Sequence, residues 1–179
     1  TNVASGSSVF AGSLRNSGSG VLGLVKTGPG TLVLTGSNVN TGSTTVSTGT
    51  LQVGLGGAIG SLGAGMISNY GAIVFNRSDD YGGGLVNVVN GTGSLSIARG
   101  SLALSGSNSF TGDTRILSGT LALANTRALG GSTLDLNALD SGLVVFSATG
   151  VQTFVVGGLK GSRSVQIGGN SLSVGTNNQ

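Results

Sequence analysis

The sequence predicts an all-β fold built as a β-solenoid. The segment 28–53 recurs at 98–123, and a partial third copy begins at about 165. Within each copy, a fixed set of apolar residues alternates with positions that vary between the copies, which is the period of a β-strand. Glycine, with 36 residues in a chain of 179, interrupts almost every run of eight residues and disfavours sustained helix. Repetition at a fixed spacing is typical of elongated arrays.

The strands predicted for the first repeat recur 70 positions later, and their inward positions remain apolar. The matched apolar positions are Leu32, Leu34, Val46, Leu51 and Val53 in the first copy, and Leu102, Leu104, Ile116, Leu121 and Leu123 in the second. The residues between them change freely, as Thr45 becomes Arg115 and Gln52 becomes Ala122. Because alternate strand residues face opposite sides, one face is predicted to be buried and aliphatic, and the other solvated and unspecialised.

The third copy and the neighbouring segments extend this pattern. Leu95, Ile97, Leu102 and Leu104 reappear as Val165, Ile167, Leu172 and Val174. A further strand at 71–75 resembles 142–146 at an offset of 71, so one residue has been added in a turn. Only 7% of the residues are charged, and low charge with so much glycine could indicate a disordered linker. The 37% of hydrophobic residues, in regular alternation, should nevertheless bury enough surface for the chain to fold.

The offset favours a solenoid over the alternative, a β-sandwich, because each module can then stack on a near copy of itself. A coil of roughly 20 to 23 residues gives about three coils per repeat and about eight in the chain. Glycines, and the asparagines Asn38 and Asn108, are expected at left-handed corner positions. Three aromatics, Phe10, Tyr81 and Phe154, are expected to fill the core at one corner.

The first repeat resembles the passenger-associated repeat of bacterial autotransporters, the type V secretion proteins. The resemblance lies in the run Lys26-Thr27-Gly28-Pro29-Gly30-Thr31-Leu32, in Thr41-Gly42 and in Gly49-Thr50-Leu51-Gln52-Val53. The second copy departs from it by replacing the Lys-Thr-Gly-Pro-Gly lead with Ile97-Ala98-Arg99-Gly100. The resemblance implies a right-handed parallel β-helix, 1–179 being one solenoid, on the surface of a Gram-negative bacterium.

That family normally carries a signal peptide and a translocator barrel, and neither is visible in the sequence. We therefore expect the chain to be a piece of a longer secreted passenger that is linked to the outer membrane through a barrel. The lack of cysteine fits export through an oxidising periplasm. No membrane insertion by this segment is expected, because no apolar run reaches membrane length.

The chain offers few residues for catalysis. It has no His, Cys or Glu, so neither a Ser-His-Asp triad, a Cys-His pair nor a usual zinc site is possible within it. Asp79 and Asp80 form the best candidate pair, in a loop where calcium or glycosidase chemistry is conceivable, but a solvated loop beside Arg77 is the simpler interpretation. Asp135 and Asp140 are expected to be exposed partners of a buried leucine stripe, and Asp113 completes the acidic residues.

Other motifs give no functional prediction. Gly18, Gly20 and Gly23 match GxGxxG, but the helix and the later acidic residue that a dinucleotide site needs are missing. The net charge is +3, and the basic residues are scattered and not interleaved with aromatics, which argues against nucleic-acid binding. The basic residues are Arg15, Lys26, Arg77, Arg99, Arg115, Arg127, Lys160 and Arg163. No catalytic, cofactor-binding or metal-binding residue and no cofactor is therefore predicted.

Three functions remain open at this point. The first is a structural stalk or adhesive segment that supports attachment, aggregation or biofilm, with a host-cell surface or matrix, polysaccharide or identical passengers as partners. The second is the non-catalytic spine of a secreted protease or esterase. The third is a polysaccharide-cleaving β-helix, which would need carboxylates stacked on one face. The first is favoured because every pattern in the sequence serves stacking.

Overall fold

The computed structural model describes residues 5–81 and 84–175, which form fifteen β-strands joined by turns and irregular segments, with no helix among them. The strands are β1 Ser7–Phe10, β2 Leu24–Lys26, β3 Thr31–Leu34, β4 Thr44–Val46, β5 Thr50–Val53, β6 Ile67–Asn69, β7 Ala72–Asp80, β8 Val89–Asn90, β9 Ser94–Leu104, β10 Thr114–Ile116, β11 Thr120–Leu123, β12 Leu129–Leu136, β13 Leu143–Phe146, β14 Thr153–Gly161 and β15 Ser171–Val174. The all-β prediction is confirmed.

Parallel pairing between successive coils organises these strands. An 11-stranded sheet runs along the molecule, and a smaller sheet contains β2, β4, β6 and β8. Strand β9 spans two faces, because its first half pairs with β10 while its second half pairs with β11. Every pair of these strands is parallel, which excludes the antiparallel β-sandwich.

One ladder shows the number of coils directly. Its residues are Ser8, Leu32, Leu51, Ile73, Leu95, Thr114, Leu134 and Leu159. These eight positions confirm a β-solenoid of about eight coils. The right-handed coiling of the chain stays a prediction from the family resemblance.

The repeat does not coincide with a whole number of coils. Leu32 stacks through Leu51 and Ile73 onto Leu95, whereas its repeat partner Leu102 stacks on Leu121 in another ladder. Chemically similar residues therefore form ladders along the axis, but residues that match at the offset of 70 lie in different ladders. Three coils lead from Leu32 to Leu95, and the repeat then continues along β9 to Leu102. The second copy is therefore rotated about the solenoid axis by one face relative to the first.

The predicted core residues all point inward. Each of the five apolar positions in the first copy, and each of their partners 70 positions later, is at most 5% exposed. Full burial of a side chain of this kind stabilises the fold by roughly 1.5 to 3 kcal/mol. In the incomplete third copy, Leu172 and Val174 lie in β15, while Val165 and Ile167 are half-buried and outside any strand.

The corner asparagines were assigned the wrong role. No residue other than glycine has a positive φ in the described chain, so Asn38 and Asn108 are not left-handed. Both are only 5% exposed, and their amides bond to the coils on either side. The left-handed corner positions belong to glycines such as Gly49 and Gly119, with φ values of 68° and 89°.

The aromatic residues do not share one corner. Phe10 is opposite Leu34 and is 37% exposed, because no described coil covers its other side. Tyr81 and Phe154 are buried, and Phe154 lies opposite Leu172 on a different face. Tyr81 meets Phe75 edge to face with ring centroids 5.0 Å apart. Core filling thus holds for two of the three aromatics, and the common corner does not.

Candidate functional site

The best candidate carboxylate pair from the sequence lies at the end of a strand and not in the loop that we expected. Asp79 and Asp80 are the last residues of β7, where the pairing with β9 is irregular. Asp79 accepts two hydrogen bonds from Arg77, both 2.9 Å long, and these hold the pKa of Asp79 below its usual range. Asp80 is exposed. The structure therefore gives the two carboxylates different surroundings.

The guanidinium of Arg77 is occupied by structural contacts. Besides binding Asp79, it donates to the carbonyl oxygens of Ala58 and Gly60 in the preceding coil, and it lies 5.4 Å from the ring centroid of Tyr81. The Tyr81 hydroxyl accepts a hydrogen bond of 2.8 Å from the Leu62 amide, and burial raises its pKa. Arg77 thus fastens the 58–62 turn to β7.

A shallow groove of about 490 Å³ lies beside this contact, on three successive coils. Its lining includes Asn38, Ser61, Arg77, Tyr81 and Asn87. The amide nitrogens of Asn38 and Asn87 donate to main-chain carbonyls, as Arg77 does, so most of the polar side chains in the groove hold the coils together. The groove offers shape but few uncommitted polar groups for a ligand.

Stacking brings six charged residues together near the C-terminal end, where the sequence suggested scattered ones. This charged cluster consists of Asp113, Arg115, Asp135, Asp140, Lys160 and Arg163. Arg115, Asp135 and Lys160 are direct neighbours on β10, β12 and β14. The signal in the sequence was their spacing, because each of these three residues follows the one before it by close to the length of one coil.

Each carboxylate of the charged cluster has a cation nearby. Asp140 accepts hydrogen bonds of 2.7 and 2.9 Å from Arg115, and Lys160 lies 2.5 Å from Asp113 and 3.8 Å from Asp135. The side chains of Asp140 and Asp135 are only 5% and 16% exposed, so our expectation that both are exposed was wrong. The Leu stripe beside it is buried at Leu134 and Leu136 but not at Leu139, which is 92% exposed.

These contacts shift the pKa values of three residues in the charged cluster. Hydrogen bonds from Arg115 lower the pKa of Asp140, and the same pair raises the pKa of Arg115. The hydrogen bond with Asp113 raises the pKa of Lys160. Asp140, Arg115 and Lys160 are therefore held in their charged forms at neutral pH. The arrangement favours ion pairing between coils.

The most unusual charged residue lies inside the solenoid, where sequence analysis did not place it. Lys26 is 0% exposed, and its ammonium donates to the carbonyl oxygens of Thr27, Gly28 and Thr48 at 3.0, 2.7 and 3.1 Å. Burial lowers the pKa of Lys26. The signal was its alternation with Leu24, because Leu24 and Lys26 occupy the inward positions of β2 while Val25 is exposed.

The remaining candidate motifs show no ligand-binding geometry. Gly18 and Gly20 lie in a turn in which the Gly20 amide donates to the Ser17 carbonyl at 2.9 Å. Residues 5–81 and 84–175 contain no group of three or more acidic, His or Cys side chains that could hold a metal ion. Over the same residues, no helix is present that is long and apolar enough to cross a membrane.

Comparisons with known proteins agree with the repeat. The model of the passenger-associated-transport-repeat family matches residues 24–53 and 100–123. The chain is also similar to the adhesin BmaC autotransporter of Brucella suis biovar 1 (strain 1330), with 44% identity over 80 residues. That match covers 44% of this chain and 2% of the relative's length. No solved structure matches the chain.

The fold and the matched segments define a parallel β-solenoid that contains passenger-associated repeats. Two copies match the family model, and they contain the inward apolar positions that recur from the first repeat to the second. Together with the Brucella relative, they support an autotransporter passenger. The chain spans only a small part of that relative.

Proposed function

We propose that this chain is a structural and adhesive segment of a passenger displayed on the surface of a Gram-negative bacterium. The observation that carries the proposal is its 44% identity over 80 residues to a protein named an adhesin autotransporter. In this proposal the solenoid holds distal parts of the passenger away from the cell and also makes contact along its flank. The passenger is linked to the outer membrane by a translocator barrel.

The outer surface supports contacts distributed along the flank. Val25, Thr45, Ser68 and Asn90 form the outward ladder of the four-stranded sheet, and none of them is charged. Met66 and Val88, which directly precede β6 and β8, are 53% and 44% exposed. Such a neutral surface suits many weak contacts with polysaccharide, with a host-cell surface or matrix, or with identical passengers.

Charge is distributed unevenly along the chain. Among its charged residues, only Arg15 and Lys26 precede residue 77, and Lys26 is buried. The part of the solenoid before residue 77 therefore presents an almost uncharged surface, while the charged cluster lies after it. We infer that attachment depends mainly on this neutral part, where no like charges oppose close approach.

We further propose that the segment has no catalytic activity of its own. The acids at Asp79, Asp113, Asp135 and Asp140 are each near a cation, and Asp80 is exposed at the end of β7. Purified protein should not hydrolyse peptides, esters or glycans. Reproducible hydrolysis that disappears in Asp79→Asn or Asp80→Asn would contradict this part of the proposal.

The adhesive role can be tested on the intact parent protein displayed on bacteria. We expect replacement of Val25, Met66 and Val88 by serine to reduce clumping, biofilm or host-cell attachment, while Thr45→Ala alone changes little. A matched triple change at the exposed residues Leu139, Leu143 and Val151, which lie outside the four-stranded sheet, is the control. Surface labelling with an antibody must first show equal display. Unchanged attachment in the first variant, or complete loss from one outer substitution, would contradict the proposal.

A further inference from the structure

The buried ammonium of Lys26 has all of its hydrogen-bonding capacity in use. It donates to three carbonyl oxygens, from Thr27 and Gly28 in its own coil and from Thr48 in the next. An ammonium has three N–H donors, whereas a neutral amine has two and a lone pair that would face an oxygen. The geometry therefore fits the charged form, and the contacts join two coils.

The space around the ammonium is closed by the next corner. A Cβ atom at Gly49 would lie 2.8 Å from Nζ of Lys26 and 2.4 Å from the carbonyl oxygen of Gly28. No carboxylate pairs with Lys26 in the described part of the chain. The backbone carbonyls are thus the groups that compensate this buried charge, and their dipoles stabilise a cation strongly in a low-dielectric interior.

The second repeat shows what the same corner does without a cation. Lys26 is opposite Val46 in the way that Ile97 is opposite Ile116, so Ile97 takes the structural place of Lys26. Five positions separate Lys26 from Thr31, but four separate Ile97 from Ser101 at the start of the next matched strand. The apolar residue accompanies a corner that is shorter by one residue.

We propose that the long corner of the first repeat, Thr27 to Gly30 together with Thr48, is a binding site for a primary ammonium group, and that Lys26 is its built-in occupant. The extra residue turns the carbonyls of Thr27 and Gly28 inward, and the ammonium then ties them to the following coil. This inference concerns the interior of the solenoid and is independent of the adhesive function proposed above.

The alternative is that Lys26 acts as a long, flexible filler whose charge is incidental. In that case a methionine of similar length should serve as well, because its side chain fills the same space. If the carbonyls require a cation, methionine removes the ammonium that binds three part-buried carbonyl oxygens. Lys26→Met is then expected to lower the melting temperature by about 5 to 10 °C.

Chemical rescue tests the binding site itself. In the full chain, Lys26→Ala leaves room for a three-carbon amine, and we expect n-propylammonium chloride to raise its melting temperature in a saturable manner. Neither 1-propanol, which has the same length and no charge, nor tetramethylammonium chloride, which has no N–H donor, should do so. Ile97→Ala is the matched control, because it opens a cavity at the equivalent position of the short corner and should not respond to propylammonium.

Two further variants keep the result decisive if Lys26→Ala does not fold. Replacing residues 26–30 by the sequence of residues 97–100 should recover most of the stability that Lys26→Met loses, because the short corner accepts an apolar residue. Ile97→Lys should be more destabilising than Lys26→Met, since it buries an ammonium where the long corner is absent. A Lys26→Met protein as stable as wild type, or equal rescue by propanol and propylammonium, would overturn the proposal.

Discussion

Single side chains replace missing main-chain hydrogen bonds at the corners of this solenoid. Asn38 accepts from the Leu14 amide at 2.8 Å and donates to the Ser61 carbonyl at 2.6 Å. Asn108 makes the same pair of bonds to Val89 and Ala128, at 2.9 and 2.8 Å. Each amide therefore bridges the preceding and the following coil. A buried amide with both ends satisfied is stabilising and also fixes the axial position of the corner.

Removing one of these amides should leave two buried main-chain groups without partners. We predict that Asn108→Ala lowers the free energy of unfolding by about 1 to 3 kcal/mol, measured by denaturant titration. Ser107 precedes it and is exposed, so Ser107→Ala is the control and should remain within roughly 0.5 kcal/mol. Equal effects of the two substitutions would show that the amide bonds do not contribute to stability.

At the scale of strands and coils, the sequence predicted which residues of a strand are buried better than it predicted where each strand lies around the axis. Alternation identified the buried residues of β3, β5, β9 and β11, because apolar burial leaves a period of two in the sequence. The rotation of the repeat by one face was not predictable in the same way. It depends on corner lengths, which make the coil from Leu51 to Ile73 longer than the coil from Leu32 to Leu51.

The same limit explains what was missed in the candidate site. Arg115, Asp135 and Lys160 are neighbours in the structure. Predicting this contact requires the lengths of two coils, and those lengths depend on turns that carry no periodic signal. Lys26 was missed for a different reason. A lysine at an inward position contradicts the usual preference for exposure, and only the carbonyl oxygens of a particular corner make it tolerable.

The ion pair between β10 and the turn after β12 predicts a response to acid. The pKa of Asp140 is lowered in the folded protein, so its contribution to stability is present above the ordinary value of 3.8 and is lost as pH falls through the lowered folded pKa. We expect the melting temperature of wild type to exceed that of Asp140→Asn at pH 7, and the difference to shrink below about pH 4.

Asp80→Asn is the control, because Asp80 is exposed at the end of β7. Its melting temperature should follow that of wild type across the same pH range. A difference between wild type and Asp140→Asn that persists unchanged at low pH would mean that the asparagine disturbs packing and that the charge of Asp140 is not responsible.

At the scale of the whole molecule, the repeat defines a unit that can be removed. Deleting residues 33–102 joins Leu32 to Ala103, so that the inward and outward positions of the strand continue unchanged. Leu24 would then stack on Thr114, as Leu95 does now, and the Leu14 amide would donate to Asn108 in place of Asn38. The residues after the junction are rotated about the solenoid axis by one face relative to those before it. The parallel pairing between neighbouring coils is kept.

We predict that the chain without residues 33–102 still folds as a β-solenoid, shortened by three coils and one face. With coils about 4.8 Å apart, the rod should lose roughly 16 Å of length, which small-angle X-ray scattering can measure. Circular dichroism should retain the β-sheet signal. A deletion of residues 33–101 is the control, because it joins Leu32 directly to Leu102 and turns the inward residues after the junction outward, so it should unfold or aggregate. Equal folding of the two deletions would show that strand alternation, and with it the repeat, does not set the stacking.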